Sequence, residues 1–391
     1  MRRWPVRVSA LALALSVQIT PAGADPDIPQ SVVDDAAQRI VTEASSELET
    51  PLYSVVDKTR MPASGDPHDY FSFAPYWWPD PERPDGLPFE RRDGEYNQAT
   101  LSEATDKQRL IDFVGTVKRL AWAYRIDGDP RYAERAIAQL RHWFIDPETR
   151  MHPNLRYAQA IPGRVDGRGI GIIESRLLIE LADAIRRLEP ALDDATLKAL
   201  KQWYADYLDW LLASDNGRDE ASKRNNHGTW YDAQVTAFAR FVGRPELARR
   251  QLHEADARLA VQFDADGAQP LELERTRPWH YVNFNLAAWS VLLDEAEALG
   301  LKWPEMPAER QRLAAGFRWV AKYAARPRRW SFDELKGFHP QVALPNLVAA
   351  RRHGLLGDHG REAEALIHAW MKQGDHGLSP SRLLAISPPR H

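Results

Sequence analysis

Two short segments of this chain concentrate side chains that move protons and hold anions. Lys223-Arg224-Asn225-Asn226-His227-Gly228-Thr229-Trp230 places cations, amide donors and an imidazole in one turn-forming stretch ahead of a predicted helix. Glu272-Leu273-Glu274-Arg275-Thr276-Arg277-Pro278-Trp279-His280-Tyr281 places a fixed cation, Arg275, upstream of a phenol, Tyr281. Imidazole and phenol suit proton transfer, and amide and guanidinium groups donate to anions. Each segment also has a plainer reading. Asn225 or Asn226 can cap the helix, His227 can be structural, and the arginines can pair with Glu272 and Glu274 on a solvated face. Chemistry requires the two segments to meet in space.

A third stretch, Ala74-Pro75-Tyr76-Trp77-Trp78-Pro79-Asp80-Pro81, sets three aromatics between prolines. A stiff aromatic surface suits stacking on the apolar face of a sugar ring, and the same rings can instead plug the end of a helical barrel. Lys58, Arg60, Arg156, Arg164, Arg168, Lys223, Arg224, Arg275 and Arg277 lie in or beside these irregular segments, a distribution that suits a basic groove.

The elements that must position these groups are helices. Leu110, Phe113, Val114, Val117, Leu120 and Tyr124 recur at three- and four-residue steps, as do Leu197, Leu200, Tyr204, Tyr207, Leu208 and Leu211. Similar patterns cover approximately 31–48, 131–145, 173–190, 229–242, 245–262, 284–299, 307–325, 341–354 and 361–373, with breaks such as Asp127-Gly128-Asp129-Pro130. Helix follows helix without convincing strand pairs. The expected fold is all-α, with helical hairpins stacked as an open solenoid or an α/α toroid, and the lack of a fixed-period repeat favours the toroid. Segments 53–100, 146–172 and 214–228 read as long loops, which in a compact domain are usually functional.

Arg2, Arg3 and Arg7 followed by the apolar Ser9–Ile19 run and Ala22-Gly23-Ala24 read as a signal peptide over 1–24, cleaved after Ala24, with a periplasmic or secreted destination and one domain over 25–391. Its loss removes three arginines and takes the formal charge from −4 to −7. Nucleic acid is therefore not the expected partner, and an acidic ligand would need a locally basic groove. The absence of cysteine excludes disulfides and thiolate chemistry. No metal or other cofactor is expected, because the key segments hold no short histidine pair beside an acidic ligand.

With these residues in view, the chain resembles the alginate lyase family of α/α-toroid polysaccharide lyases. Asn225-Asn226-His227 and Arg275 with Tyr281 match the family's active-site segments; the aromatic stretch, Asn154-Leu155-Arg156-Tyr157-Ala158-Gln159 and Gly167-Arg168-Gly169 are also similar. The resemblance spans roughly 50–350. Gly228-Thr229 and the short Arg275–Tyr281 spacing depart from the best-known alginate-specific members and look closer to relatives that include glucuronan lyases.

The resemblance implies β-elimination on a 1,4-linked polyuronate. Asn226, His227 and Arg275 would neutralise the carboxylate so that the C5 proton becomes removable, and Tyr281, its pKa lowered by Arg275, would serve as base and as acid to O4. His227 is the alternative base from the opposite face. Lys58, Tyr76, Trp77, Trp78, Tyr157, Gln159, Arg168, Arg224, Trp230 and His280 are the expected substrate-binding residues. Mannuronate and glucuronate share their C4 and C5 configuration, so these groups alone do not separate poly-mannuronate from glucuronan. Two rivals stand: an inverting glycoside hydrolase using Asp232 with Glu272 or Glu274, and a non-catalytic polysaccharide-binding protein.

Overall fold

The computed structural model describes residues 28–372, 378–387 and 389. The signal peptide expected over 1–24 lies outside the described residues. The breaks read from the sequence become helix boundaries with explicit chemistry. Helix α1 spans Gln30–Glu47 and α2 spans Lys107–Asp127; α2 ends on Gly128 at φ 74°, a left-handed cap that a side chain would strain. Asp129 then accepts from the Arg131 amide, and Pro130 opens α3, Pro130–Phe144.

The chain continues through α4 (Leu177–Leu188), α5 (Asp194–Ala213), α6 (Asp215–Ala221), α7 (Asn226–Phe241) and α8 (Pro245–Gln262). It closes with α9 (Pro270–Leu273), α10 (Pro278–Ala298), α11 (Pro307–Ala325), α12 (Leu344–Arg352), α13 (Gly360–Lys372) and α14 (Pro380–Ile386).

Helices α2, α4, α7, α10 and α12 pack side by side as an inner ring, with partners such as α3, α5, α8 and α11 outside it. Pairings along the ring show that its members run in the same direction. Lys107 meets Glu174 just before α4, while Arg187 near the end of α4 lies over the Trp122 ring of α2. Trp230 meets Phe284 and Arg240 meets Glu295 between α7 and α10; Asn346 meets Asn283 and His353 meets Asp294 between α12 and α10. Helices α1 and α14 pack on α2 at the gap, so the ring is an incomplete α/α toroid, as expected. Trp143 stacked on Phe113 at 4.5 Å, with Trp289, Tyr204 and Phe238, forms its fully buried core.

This parallel inner ring collects its helix N-termini at one end. Each N-terminus carries partial positive charge that favours anions, part of it met by protein groups such as Glu272 on the Asn226 amide and Glu334 on the Trp279 amide. The far end encloses a cavity of about 170 Å³ walled by residues such as Trp122, Ile179, Val291 and Arg382.

Two features differ from the sequence expectation. Short strands do form: β1 (Phe71–Phe73) pairs in parallel with β4 (Tyr157–Ala160), and β2 (Trp77–Trp78) pairs antiparallel with β3 (Glu90–Arg91). They are too short to leave an alternating pattern; the β1–β4 pair ties 53–100 to 146–172, and the β2–β3 pair folds 53–100 on itself. Second, 214–228 is not a loop. It holds α6, capped by Ser214, and a tight turn into α7.

Candidate active site

The first turns of α7 and α10 supply the reactive groups. Asn225 caps α7, its side-chain oxygen accepting from the His227 amide at 3.3 Å, so Asn226 and His227 sit in the first turn. Glu272 of α9 takes both the backbone and side-chain N–H groups of Asn226, at 2.6 and 2.8 Å. The Asn226 side-chain oxygen is buried without a partner. Glu272 is itself buried, which raises its pKa, and Asn226, Arg275 and His227 act against that rise. Glu272 thus sits within the electrostatic reach of both sequence segments.

His227 Nδ1 lies 2.8 Å from Oε1 of Glu220, a carboxylate of α6 with no exposed surface. An ionised carboxylate only accepts, so Nδ1 carries the hydrogen and Nε2 is left for other partners.

Tyr281 lies in the first turn of α10, which Pro278 opens. Its hydroxyl accepts from Arg275 Nη2 at 3.0 Å and meets the Tyr76 hydroxyl at 2.8 Å, and the Arg275 guanidinium lies 3.9 Å from its ring centre. Arg275 also faces Asp93 at 3.8 Å. Burial raises the Tyr281 pKa, the neighbouring Tyr76 adds to the rise, and Arg275 opposes it without reversing it. The expected lowering by Arg275 is therefore corrected: desolvation dominates, and the resting group is a neutral phenol.

The expected substrate-binding residues divide. Tyr76 reaches the centre. Trp77 and Trp78 are neighbours on β2 and point to opposite faces: the first lies under Arg164 at 5.3 Å, the second under Arg92 at 5.5 Å with its indole N–H on the Glu95 carbonyl. They do not form one platform with Tyr76. His280 stacks on Phe284, and burial, aided by Arg277 and other cations, pulls its pKa down to about 4. Trp230 is buried against the same Phe284 ring.

Gln159 is the one non-glycine residue at positive φ, 52°, among the described residues, a strained backbone typical of functional sites. Its carbonyl and side-chain oxygens take Arg168 Nε at 3.1 Å and Nη2 at 2.8 Å. Burial lowers the Arg168 pKa to about 10. Tyr157 is half-buried against Phe71, Phe73 and Ala160, and Arg224 is exposed on the turn before α7.

Lys58 is a correction. Its side chain has no exposed surface and is spent on the carbonyls of Val55 and Pro67, at 2.5 and 2.6 Å, and on Asp106 at 3.2 Å. It anchors the aromatic loop and cannot reach a ligand. Arg164, donating to the Phe89 carbonyl, likewise holds this loop.

The hydrolase pair is also unavailable. Asp232 is buried and bound by Arg258 and Gln251, and Glu272 is bound by Asn226. Among the described residues, Asp294, Glu297 and His353 have metal-ligand spacing, but they lie toward the far end of α10 and Asp294 already pairs with Arg352.

The Gly228-Thr229 departure has a local cause. A Cβ at 228 would collide with the Lys223 carbonyl and the Arg258 guanidinium, and Thr229 accepts from Gln262 at 2.8 Å. Arg258 also donates to the Lys223 and Ala221 carbonyls, at 2.6 and 2.7 Å, and so pins the turn between α6 and α7.

The sequence pattern of the alginate lyases matches residues 54–330. The chain belongs to the alginate lyase family. A crystal structure of an alginate lyase from Bacteroides ovatus is similar at 30% identity and a TM-score of 0.82, over 93% of this chain and 99% of that one. Alginate lyase A1-III from Sphingomonas species A1 shares the fold at 17% identity and a TM-score of 0.51, over 86% of this chain and 94% of that one. A variant of A1-III in complex with a tetrasaccharide superposes with a TM-score of 0.54 at 15% identity, over 86% and 90% of the two chains. No curated protein matches the sequence. The protein is thus a polysaccharide lyase whose substrate is an acidic polysaccharide.

Sequence reasoning missed two members of this lyase's site. Glu220 fell in a segment read as loop, and no spacing rule links it to His227 across a helix boundary. Glu272 was read as a surface ion-pair partner or a hydrolase acid, because its burial under Asn226 depends on contact between distant segments.

Proposed function

We propose that this lyase depolymerises alginate by β-elimination, acting foremost on 1,4-linked mannuronate, with glucuronan as the second polymer served by the same geometry. The supporting observation is the Tyr76–Tyr281–Arg275 cluster. It holds a phenol between a guanidinium and a second hydroxyl, at the end of the ring where helix N-termini gather. The sugar carboxylate would be held by Asn226, His227 and Arg275, whose donors stabilise the charge that grows on it as the C5 proton leaves, an effect worth several kcal/mol in a preorganised site.

In mannuronate the C5 proton and O4 lie on the same face. Tyr281 as phenolate takes the proton from C5, the C–H electrons form the C4–C5 double bond, the C4–O4 bond breaks, and the same proton passes to O4. No proton is consumed overall. Burial and the neighbouring Tyr76 oppose the phenolate, and Arg275 is the donor that stabilises it. Guluronate, inverted at C5, would need a base on the opposite face, where His227 is the candidate. Export is proposed from the basic and apolar pattern of residues 2–24.

Incubation with poly-mannuronate, poly-guluronate, glucuronan and hyaluronan, followed by the ultraviolet absorbance of unsaturated ends, tests the reading. Poly-mannuronate is expected to be cleaved fastest, and Tyr281→Phe to cut turnover by about 10³-fold or more. New reducing ends without that absorbance would rule out elimination. A preference for poly-guluronate would move the base to His227.

A further inference from the structure

We infer that Glu220 is a positioning residue for His227, fixing the imidazole with Nδ1–H directed into the protein and supplying the counter-charge that lets Nε2 carry a proton to the sugar carboxylate. The inference rests on the lyase reading for the identity of that carboxylate, and on geometry for everything else.

Glu220 has no exposed surface and places Oε1 2.8 Å from His227 Nδ1, while its Oε2 is buried without any hydrogen-bond partner. Leaving that oxygen unpaired is costly, and it concentrates the hydrogen bonding of the Glu220 side chain on His227. Its seat is built with care for distance. Gly169 and Gly217 leave no room for a Cβ against Asp219 and Leu211, so α6 lies tight on its neighbours, and Arg258 ties the following turn to Asp232.

The consequence is chemical. With Nδ1–H committed to Glu220, neutral His227 would turn a lone pair toward an anionic sugar and repel it. Only the doubly protonated ring donates from Nε2. That ring would bridge two anions, Glu220 on Nδ1 and the substrate carboxylate on Nε2. Around this pair, Asp219 and Lys223 bond each other at 2.7 Å, Arg168 from the segment before α4 lies within electrostatic reach of Glu220, Glu272 within that of His227 and Arg275, and Arg258, bound to Asp232, packs against Gly228. None of them takes Nδ1.

Nitrogen-detected NMR of the imidazoles reads this directly, with a His227→Gln variant assigning the signal. Wild type should show Nδ1 protonated in the neutral ring, with that proton far downfield against the carboxylate, and Glu220→Gln should move it upfield as the charged acceptor is lost. On poly-mannuronate Glu220→Gln should lower kcat on the order of 10²-fold. Glu220→Asp should restore part of both. An Nε2-protonated neutral ring in wild type, which needs no variant, or an unmoved Nδ1 proton shift in a folded Glu220→Gln, overturns the inference. Should the NMR results hold while no polyuronate is cleaved, the substrate reading fails and the positioning of His227 by Glu220 stands.

Discussion

At the scale of single residues, this lyase surrounds each reactive group with a specific neighbour. Asn226 has Glu272, His227 has Glu220, and Tyr281 has Arg275 and Tyr76. The Arg275–Tyr281 contact combines a hydrogen bond with ring stacking, and the planar guanidinium makes both possible at once. Arg275→Lys keeps the charge and loses the fork. We expect it to lower kcat about 10²-fold while the protein melts near its usual temperature; turnover within twofold of wild type would show that charge alone suffices. Cation and phenol types were legible in the sequence, as was the candidacy of Tyr76. The raised pKa of Tyr281 was not, because it comes from burial by segments remote in the chain.

At the scale of elements, the site depends on helix starts and on the turns that feed them. Asn225 was readable as a cap candidate, whereas the apolar pattern placed the next helix start near 284; Pro278 in fact opens α10, so His227 and Tyr281 both sit in first turns. The turn between α6 and α7 is packed without space at Gly228. Gly228→Ala should therefore destabilise the fold by about 3 kcal/mol, visible as a melting temperature several degrees lower, with activity reduced as His227 shifts. An unchanged melting temperature would mean the turn relaxes freely. The loops behaved less predictably than the helices. Trp77 and Trp78 looked like one stacking surface until strand geometry turned them to opposite faces, and Lys58 looked like a groove cation until the fold buried it.

At the scale of the whole molecule, the parallel inner ring gives a globally acidic chain a locally positive end. That resolves the conflict between its net charge and an acidic substrate. The same burial creates a pH liability. His280 is held neutral, its pKa down at about 4 against an ordinary 6.5, chiefly by desolvation. A depressed folded pKa gives stability that is complete above pH 6.5 and lost as pH falls toward 4, at most about 3 kcal/mol for this residue. Denaturant unfolding at pH 7 and pH 4.5 should show a smaller acid-induced loss in His280→Phe than in wild type. Equal losses would assign the acid sensitivity elsewhere.

The sequence by itself determined the helical architecture, because apolar periodicity and capping signals are local. It also determined which residue types were available at Asn226, His227, Arg275 and Tyr281. Tertiary structure alone decided their company. Glu220 reaches His227, Glu272 reaches Asn226 and Tyr76 reaches Tyr281 because a ring of parallel helices brings distant helix starts to one end, and burial there sets the charge states on which proton transfer depends.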